Sequence, residues 1–238
     1  MRVTAVIPAL DEEASIAGVV RSIPAALVSE VIVVDNGSTD GTPTRAREAG
    51  ARVVSQPLRG YGRACRAGVD AASPMSDVLV FLDGDGSDRP EVMDRLLAPL
   101  EAGTHDFVIG SRIRGDREPG SMNRAQLVAG ALAGTSLRLL YGVRFTDMCP
   151  FRAIRRDALL RLEMREETYG WNLEMQMKAA RAGLRILEVP VPHRRRTGGT
   201  SKVSGDLVAT VKASARILWT LARGALDRRP ATGRGSIS

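Results

Sequence analysis

The sequence is poor in aromatic residues and cysteine and has no long uncharged apolar run. Aromatic residues make up 4% of the 238, yet apolar residues reach 44%, which is enough for the core of one α/β domain. Cys65 and Cys149 have no Cys or His nearby, so they are poor metal ligands and fit a reducing cytoplasm. No signal-peptide pattern and no apolar stretch of about 18 residues is present, so we expect a cytoplasmic protein without a transmembrane helix.

Charge is distributed unevenly along the chain. Residues 1–150 contain 16 Arg and Lys against 19 Asp and Glu, whereas residues 151–238 contain 18 against 8. The basic C-terminal third indicates an anionic partner, such as phosphate groups, a membrane surface or nucleic acid, with an Arg-rich solvated surface as the plain alternative. Arg outnumbers Lys 31 to 3, which weakens any argument from arginine alone.

Apolar and polar stretches alternate in a pattern typical of βαβ units. The predicted strands are 3–8, 30–34, 52–55, 78–82, 106–110 and 186–191. The predicted helices are 12–23, 42–49, 63–72, 124–140, 156–162, 170–182 and 206–225. Strands separated by helices predict a parallel α/β sheet whose ligands bind at the carboxyl ends of the strands. The segment 193–202 is cationic and is predicted to be a lid over an anionic group, or else a solvated surface loop.

The tripeptide Asp83-Gly84-Asp85 directly follows the apolar run 78–82. Residues i and i+2 of an extended segment face the same way, so the two carboxylates project together from a strand end. Such a pair suits a hard divalent cation that keeps positions open for phosphates, although acidic residues after a strand are also common turn formers. A calcium loop is excluded, because it would need Gly and Glu where Asp88 and Asp94 stand.

Two other predicted strand ends carry carboxylates. Glu12 follows the first strand and Asp35 ends the second, so either could accept a hydrogen bond from a base or a ribose hydroxyl. Gly37 and Gly41 permit tight turns before the next helix. The plain alternative for the stretch 35–41 is an ordinary turn with a helix N-cap.

Seven motifs in this order resemble glycosyltransferase family 2, in particular its dolichol-phosphate mannose synthase and polyprenyl-phosphate glycosyltransferase branch. The resemblance covers about residues 3–205. Its motifs are VIPALDEE from Val6, VVDNGSTDGT from Val33, GYGRA from Gly60, FLDGDG from Phe81, IGSR from Ile109, FRAIR from Phe151, and EVPV from Glu188 with RTGGTSK from Arg196.

The resemblance implies a single GT-A-type domain and a donor site for a nucleotide-diphosphate sugar, a GDP- or UDP-hexose. Mg²⁺ or Mn²⁺ would be held by Asp83 and Asp85, with Ser87 as a further ligand through its hydroxyl or through water. The implied donor-binding residues are Pro8, Ala9, Glu12, Asp35, Gly37, Asp83, Gly84, Asp85, Arg112, Arg196 and Lys202. Asp85, Arg112 and Asp147 are the implied catalytic residues.

The acceptor implied by the resemblance is a polyprenyl phosphate, bound by Arg124, Asp147 and Glu174. The family often has Ser where Val128 stands, and many relatives carry membrane helices; these departures favour a soluble hydroxyl acceptor, with Asp147 as the base and Glu174 second. Two further alternatives are a sugar nucleotidyltransferase, which would need a Gly-rich basic loop in place of residues 9–12, and a non-catalytic nucleotide-sugar-binding protein. No nucleic-acid partner is expected.

Three segments are predicted along the chain. Residues 1–205 form the glycosyltransferase domain, 206–227 a C-terminal amphipathic helix and 228–238 a disordered tail. The helix carries Trp219 and basic residues beside its apolar face, so it packs on its own domain or contacts the inner face of the membrane peripherally. The sequence leaves the sugar, the nucleotide and the oligomeric state open.

Overall fold

The computed structural model describes residues 1–197, except the side chains of Arg124, Ala125 and Ala129. Lys202, the predicted amphipathic helix 206–227 and the predicted tail 228–238 lie outside the described residues. The strands are β1 Val3–Ala9, β2 Glu30–Asp35, β3 Arg52–Ser55, β4 Val78–Phe81, β5 Phe107–Ser111, β6 Arg152–Arg155 and β7 Ile186–Pro190. The helices are α1 Ile16–Ser22, α2 Thr42–Glu48, α3 Tyr61–Ala71, α4 Asp94–Glu101, α5 Arg124–Tyr141, α6 Arg156–Arg161 and α7 Trp171–Arg181, with a 3-10 turn at Pro90–Val92.

The seven strands form one sheet in the order β3-β2-β1-β4-β6-β5-β7. Strands β1 to β4 pair in parallel, as do β5 and β7, while β6 runs antiparallel between β4 and β5. Strands β1 and β4 are almost wholly buried, because their Val, Ile, Leu and Phe side chains face packed layers on both sides. The predicted mostly parallel α/β sheet is confirmed.

Two elements differ from the sequence-based expectation. The stretch that forms β6 was not among the predicted strands, because Arg152 and Arg155 interrupt its short apolar run. Arg152 is nevertheless fully buried, donates to the carbonyls of Cys149 and Asn172, and lies 5.8 Å from the centre of the Phe107 ring. Helix α4 was not predicted at all, and it contains Pro99 within its span.

Helix α1 is shorter than predicted. It begins at Ile16, because Asp11 has a positive φ of 49° and the Glu12 carbonyl accepts the amides of Ser15 and Ile16 in a turn. In residues 1–197, no helix is long and apolar enough to cross a membrane.

Candidate active site

A cavity of about 730 Å³ opens where β1, β2 and β4 end, at the carboxyl edge of the sheet. Its size falls within the range typical of small-ligand sites. The residues that line it are Pro8, Ala9, Leu10, Asp11, Glu12, Asn36, Arg59, Gly60, Tyr61, Ala64, Asp83, Gly84, Asp85, Ser87, Arg112, Gly120, Ser121, Asn123, Gln126, Tyr169, His193, Arg195 and Arg196. The structure thus brings together most of the residues that were predicted to bind the donor.

The two aspartates of the turn after β4 face this cavity from different environments. Asp83 accepts a hydrogen bond from the Tyr61 hydroxyl at 3.3 Å. Burial, followed by the negative charges of Asp85 and Asp88, raises the pKa of the Asp83 carboxyl well above its usual range. Asp85 Oδ1 accepts the Ser87 amide at 2.8 Å and the Ser87 hydroxyl at 2.6 Å, which fixes its orientation.

The carboxylate pair fits a divalent cation. Asp83 is partly buried beside two other acidic side chains, so a positive charge at this point would relieve their repulsion. Within residues 1–197 no group of three or more His, Cys, Asp and Glu is arranged to hold a metal by itself. If a cation is held by the two carboxylates, other oxygens would have to fill its remaining positions, as is usual where Mg²⁺ or Mn²⁺ also binds phosphates.

Asp88 and His193 form a buried pair beside the turn that the sequence analysis did not identify. Asp88 accepts the amide of Asp83 at 3.1 Å, and its Oδ1 lies 3.7 Å from His193 Nδ1. Both side chains are at most 5% exposed. His193 also lines the cavity, so it connects the carboxylate turn with the cationic segment that follows β7.

The β1 end lies next to the carboxylate turn. The Glu12 amide donates to the Thr42 hydroxyl at 2.7 Å, and the Ser15 hydroxyl donates to the Gly84 carbonyl at 2.8 Å, so the β1 and β4 ends are tied together. A Cβ at Gly84 would lie 3.2 Å from the Ile16 side chain. The absence of a side chain at Gly84 therefore also allows close packing against the core, in addition to its predicted place in the donor-binding site.

Asp35 and Gly37 lie in the described part of the chain but do not line the cavity. Asp35 accepts the amide of Ser38 at 3.0 Å, which is the turn role considered as the plain alternative. Their neighbour Asn36 lines the wall instead. Its side-chain amide donates to the carbonyls of Gln56 and Leu58, both at 2.8 Å, and its oxygen accepts the Gly60 amide at 2.7 Å.

Arg112 reaches the cavity from the end of β5 and is held by Asp147. Its Nε and Nη2 donate to the two Asp147 oxygens at 2.8 and 2.7 Å, and its amide donates at 2.9 Å. Burial opposes ionisation of Asp147, but the charge and hydrogen bonds of Arg112 outweigh it and hold the Asp147 pKa below its usual value. Burial likewise opposes the charge of Arg112, but Asp147 raises the pKa of the guanidinium.

The loop that carries Asp147 is itself fixed by β7. Glu188 accepts the amide of Thr146 at 2.8 Å, the Thr146 hydroxyl at 2.9 Å and the Asp147 amide at 3.3 Å. Asp147 is 3% exposed and does not line the cavity, although it lies in the described range. The structure thus places Asp147 behind Arg112 and not on the cavity wall, and its role toward an acceptor stays a prediction.

Glu174 also departs from its predicted place. It accepts the amides of Arg165 at 3.0 Å and Glu166 at 2.7 Å and pairs with Lys178 at 2.9 Å. These contacts hold the loop before α7, and Glu174 is not among the cavity residues of the described chain. In this structure Glu174 holds the loop, and its acceptor-binding role stays a prediction. Arg124 begins α5, but its side chain lies outside the described part.

The segment 193–197 is fastened to the carboxylate turn. The amides of Arg194 and Thr197 donate to the carbonyls of Ser87 and Asp85 at 3.0 and 3.1 Å, and Arg194 Nε donates to the Gly86 carbonyl at 2.5 Å. Arg196 pairs with the Glu12 carboxylate and lies 3.4 Å from Asp85. The predicted lid is thus hydrogen-bonded in its described part, and its remainder, with Lys202, lies outside the described residues.

Several cavity residues were missed by the sequence analysis, namely Arg59, Tyr61, Tyr169 and His193. Tyr61 lies between the two glycines of the GYG motif and His193 begins the cationic segment, so a signal was present for both. Arg59 and Tyr169 carry no pattern of their own. They reach the cavity from loops that are distant in sequence.

Comparisons with known proteins agree with this site. The sequence model of Glycosyl transferase family 2 matches residues 4–162. The chain is 39% identical over 213 residues to an uncharacterized glycosyltransferase of Mycobacterium tuberculosis (strain ATCC 25618 / H37Rv), over 89% of this chain and 94% of that protein. It is 34% identical over 221 residues to the undecaprenyl-phosphate mannosyltransferase of Micrococcus luteus, over 87% of this chain and 90% of that protein.

A solved structure has the same fold. Glucosyl-3-phosphoglycerate synthase from Mycobacterium tuberculosis, in complex with Mn²⁺, UDP-glucose and phosphoglyceric acid, superposes with a TM-score of 0.73 at 28% identity, over 98% of this chain and 81% of that chain. The predicted GT-A-type fold is confirmed, and so is the resemblance to the polyprenyl-phosphate branch. With its carboxylate pair at the end of β4 and a family match over more than half its length, the chain is a glycosyltransferase and belongs to glycosyltransferase family 2.

Proposed function

We propose that the protein transfers a hexose from a nucleotide-diphosphate sugar to a polyprenyl phosphate, with a divalent cation and with inversion at the anomeric carbon. The donor half of the proposal is supported by the cavity at the carboxyl ends of β1 and β4, by its paired aspartates, and by the Mn²⁺ and UDP-glucose in the similar synthase. The acceptor half is supported by the mannosyltransferase of Micrococcus luteus, which is named for undecaprenyl phosphate.

The observation that carries the choice of acceptor is the pairing of Asp147. A hydroxyl acceptor needs a carboxylate to take its proton, whereas a phosphate is already an anion near neutral pH and needs no base. Both Asp147 oxygens are engaged by Arg112, and the lowered pKa makes this carboxylate a weaker base. A phosphate acceptor fits that arrangement better than a hydroxyl.

In the proposed reaction, an oxygen of the acceptor phosphate forms a bond to the anomeric carbon while the bond from that carbon to the donor's diphosphate breaks. The electron pair leaves with the nucleoside diphosphate, whose negative charge grows as the bond breaks. Arg112 and Arg196 line the cavity and stabilise that charge. One displacement inverts the configuration, so an α-linked donor gives a β-linked product.

The residues that would hold the cation are Asp83 and Asp85, with Ser87 behind Asp85. When bound, the cation neutralises charge on the diphosphate and so makes it a better leaving group. Tyr61 donates to Asp83, and Ser87 donates to Asp85, so both carboxylates are oriented before any ligand enters. Arg196 holds Glu12 and approaches Asp85, and the donor would take over these contacts.

The acceptor would enter along the wall that leads to α5. Ser121 and Gln126 belong to this wall, and Tyr169 and Arg195 also line the cavity. The Arg195 side chain donates to the carbonyl of Pro119 at 2.8 Å and lies against Gly120, so it is positioned along this wall. Its charge suits an acceptor phosphate.

A second candidate function is transfer to a small phosphorylated hydroxyl acceptor. It is favoured by one observation, the phosphoglyceric acid bound in the similar synthase. Because Asp147 is engaged, this reaction would need Arg112 to release it. The two candidates therefore make opposite predictions for the acceptor and for Asp147.

A panel of acceptors tests the proposal. The full chain is incubated with Mn²⁺ and a set of nucleotide sugars, with a short-chain polyprenyl phosphate or with phosphoglyceric acid. We expect sugar on the lipid phosphate, a loss of at least about a hundredfold in Asp85→Asn, and parent-like rates in Asp70→Asn, which removes an exposed carboxylate of α3. Transfer that persists undiminished in chelating buffer would contradict the proposed metal dependence. Transfer to phosphoglyceric acid but not to the lipid phosphate would establish the second candidate function.

A further inference from the structure

Helix α5 presents an apolar stripe to solvent. Val128, Leu132 and Leu139 are 58%, 61% and 81% exposed. With Thr135 they occupy positions i, i+4, i+7 and i+11, which lie on one side of a helix. Single exposed apolar side chains are normal on soluble proteins. Large apolar side chains that are grouped on one face of a helix instead indicate an interaction site.

The stripe is part of a firmly placed helix. On its inner side Ala133 and Leu137 are at most 1% exposed. A Cβ at Gly134 would lie 2.2 Å from the Phe145 carbonyl, so the helix is in close contact with the chain that follows it. At its beginning, Asn123 and Gln126 form a reciprocal capping box with distances of 2.8 and 2.9 Å.

The segment that carries the stripe has charged residues of one sign. From Arg124 to Arg144 the sequence contains three arginines and no Asp or Glu. Arg138 and Arg144 are exposed, and neither forms an ion pair within residues 1–197. An apolar stripe with cationic neighbours and no acidic residue is complementary to an anionic lipid surface, where apolar side chains enter the interface and arginines meet the headgroups.

The stripe begins close to the active site along the axis of α5. Gln126 belongs to both the capping box of α5 and the cavity wall. Val128 follows it by two residues, about 3 Å along the axis and about 200° around it, so the stripe and the cavity wall lie on different sides of the helix.

We propose that the exposed face of α5, consisting of Val128, Leu132 and Leu139, docks the enzyme on an anionic lipid bilayer. The lipid acceptor of the proposed function explains why such docking would be useful, but the docking is a separate property of the protein. It differs from a contact made by the segment 206–227, because it is carried by the catalytic domain itself.

Vesicle flotation tests the docking without using activity. The full chain is floated with vesicles of phosphatidylcholine alone and with added phosphatidylglycerol. We expect flotation with the anionic vesicles and a fall of at least about tenfold in the partition coefficient of the Leu132→Gln/Leu139→Gln variant. The matched control is Leu58→Gln/Met75→Gln, which changes two side chains that are 63% and 60% exposed elsewhere, and it should bind like the parent.

A site-specific probe gives a second readout. Cys65 and Cys149 are buried, so an environment-sensitive dye on a Leu139→Cys variant reports from α5. Anionic vesicles should shift its emission to the blue, and a dye on Met75→Cys should not respond.

Three results would overturn the proposal. One is undiminished flotation of the α5 variant, including the case in which only Trp219→Gln loses flotation. Another is a parent that fails to float. The third is a parent dimer that the α5 substitutions dissociate without lipid, since the face would then be an interface between copies. Flotation without a lipid product would instead contradict only the proposed acceptor.

Discussion

At the scale of single residues, the site is organised by charge pairs that the ligands must rearrange. Arg196 pairs with Glu12 and approaches Asp85 at 3.4 Å, whereas Arg112 is held by Asp147 through two hydrogen bonds. The first pair faces the cavity and is partly exposed, whereas in the second pair only Arg112 reaches the cavity and Asp147 is buried behind it. We therefore expect Arg196 to change partners when the donor binds and Arg112 to stay in place.

Replacing Asp147 by Asn tests whether it positions Arg112 or accepts a proton. As a positioning residue, its loss should lower kcat/KM by about 10- to 100-fold and leave the shape of the pH–rate profile unchanged. The Asp147 pKa is below its usual value, so its ionisation does not change near neutral pH. Removing one partner of a buried pair should also cost about 3 kcal/mol of stability.

The control for this variant is Glu174→Gln, which removes a buried carboxylate that holds a loop outside the cavity. It should lower the melting temperature with little change in KM. If the acidic limb of the pH–rate profile disappears in Asp147→Asn, Asp147 acts as a base after all.

At the scale of elements, the carboxylate turn and the segment 193–197 behave as one unit. The carbonyls of Asp85, Gly86 and Ser87 all accept hydrogen bonds from this segment. Gly86 has φ +77°, and a Cβ there would lie 2.5 Å from the Thr197 hydroxyl. The segment can therefore approach the turn only because residue 86 has no side chain.

Gly86→Ala should push the segment away from the turn and move Arg196. We expect the donor KM to rise at least about fivefold, because Arg196, which we propose meets the diphosphate, is displaced. Gly103→Ala is a matched control, since its φ is +67° but no atom lies within 4 Å of the added Cβ. It should share the backbone cost of about 1 kcal/mol without the change in KM. Equal donor KM values for the two variants would argue against the coupling.

At the scale of the whole molecule, the sheet brings several carboxylates together at one edge. The raised pKa of Asp83 means that ionising this group costs folding free energy. At pH values below the usual pKa of an aspartate, Asp83 is neutral and its contribution to folding stability is fully present. This contribution is lost as the pH rises through the raised pKa that Asp83 has in the folded protein. A cation bound there would return that stability where the group is ionised.

We therefore expect Mn²⁺ with UDP to raise the melting temperature more at about pH 7.5 than at about pH 5, because the cation needs the ionised carboxylate. The measurement is a thermal melt across this range with and without the ligands. Asp83→Asn should reduce both the shift and its pH dependence, while Asp70→Asn keeps them. A shift of equal size at both pH values would place the metal elsewhere.

The sequence by itself determined the fold class and the edge of the sheet where the site lies. Buried strands β1, β2 and β4 are continuous apolar runs, and such runs are local signals that survive into the fold. The same runs predicted the carboxylates at the end of β4, because a side chain that directly follows a buried strand must emerge at that edge. Most of the other donor-side residues followed from the resemblance to the family and not from this reasoning.

Only the tertiary structure decided which charges meet. Asp147 lies 35 positions after Arg112, and Glu174 faces loop amides eight and nine positions before it, so neither partnership has a periodic signature. Strand β6 could not be predicted from the sequence for the same reason. Its buried Arg152 donates hydrogen bonds to the carbonyls of Cys149 and Asn172, and these contacts form only in the folded protein. A charged side chain in isolation indicates a solvated or functional position, and whether it is instead paired inside the protein depends on contacts that only folding creates.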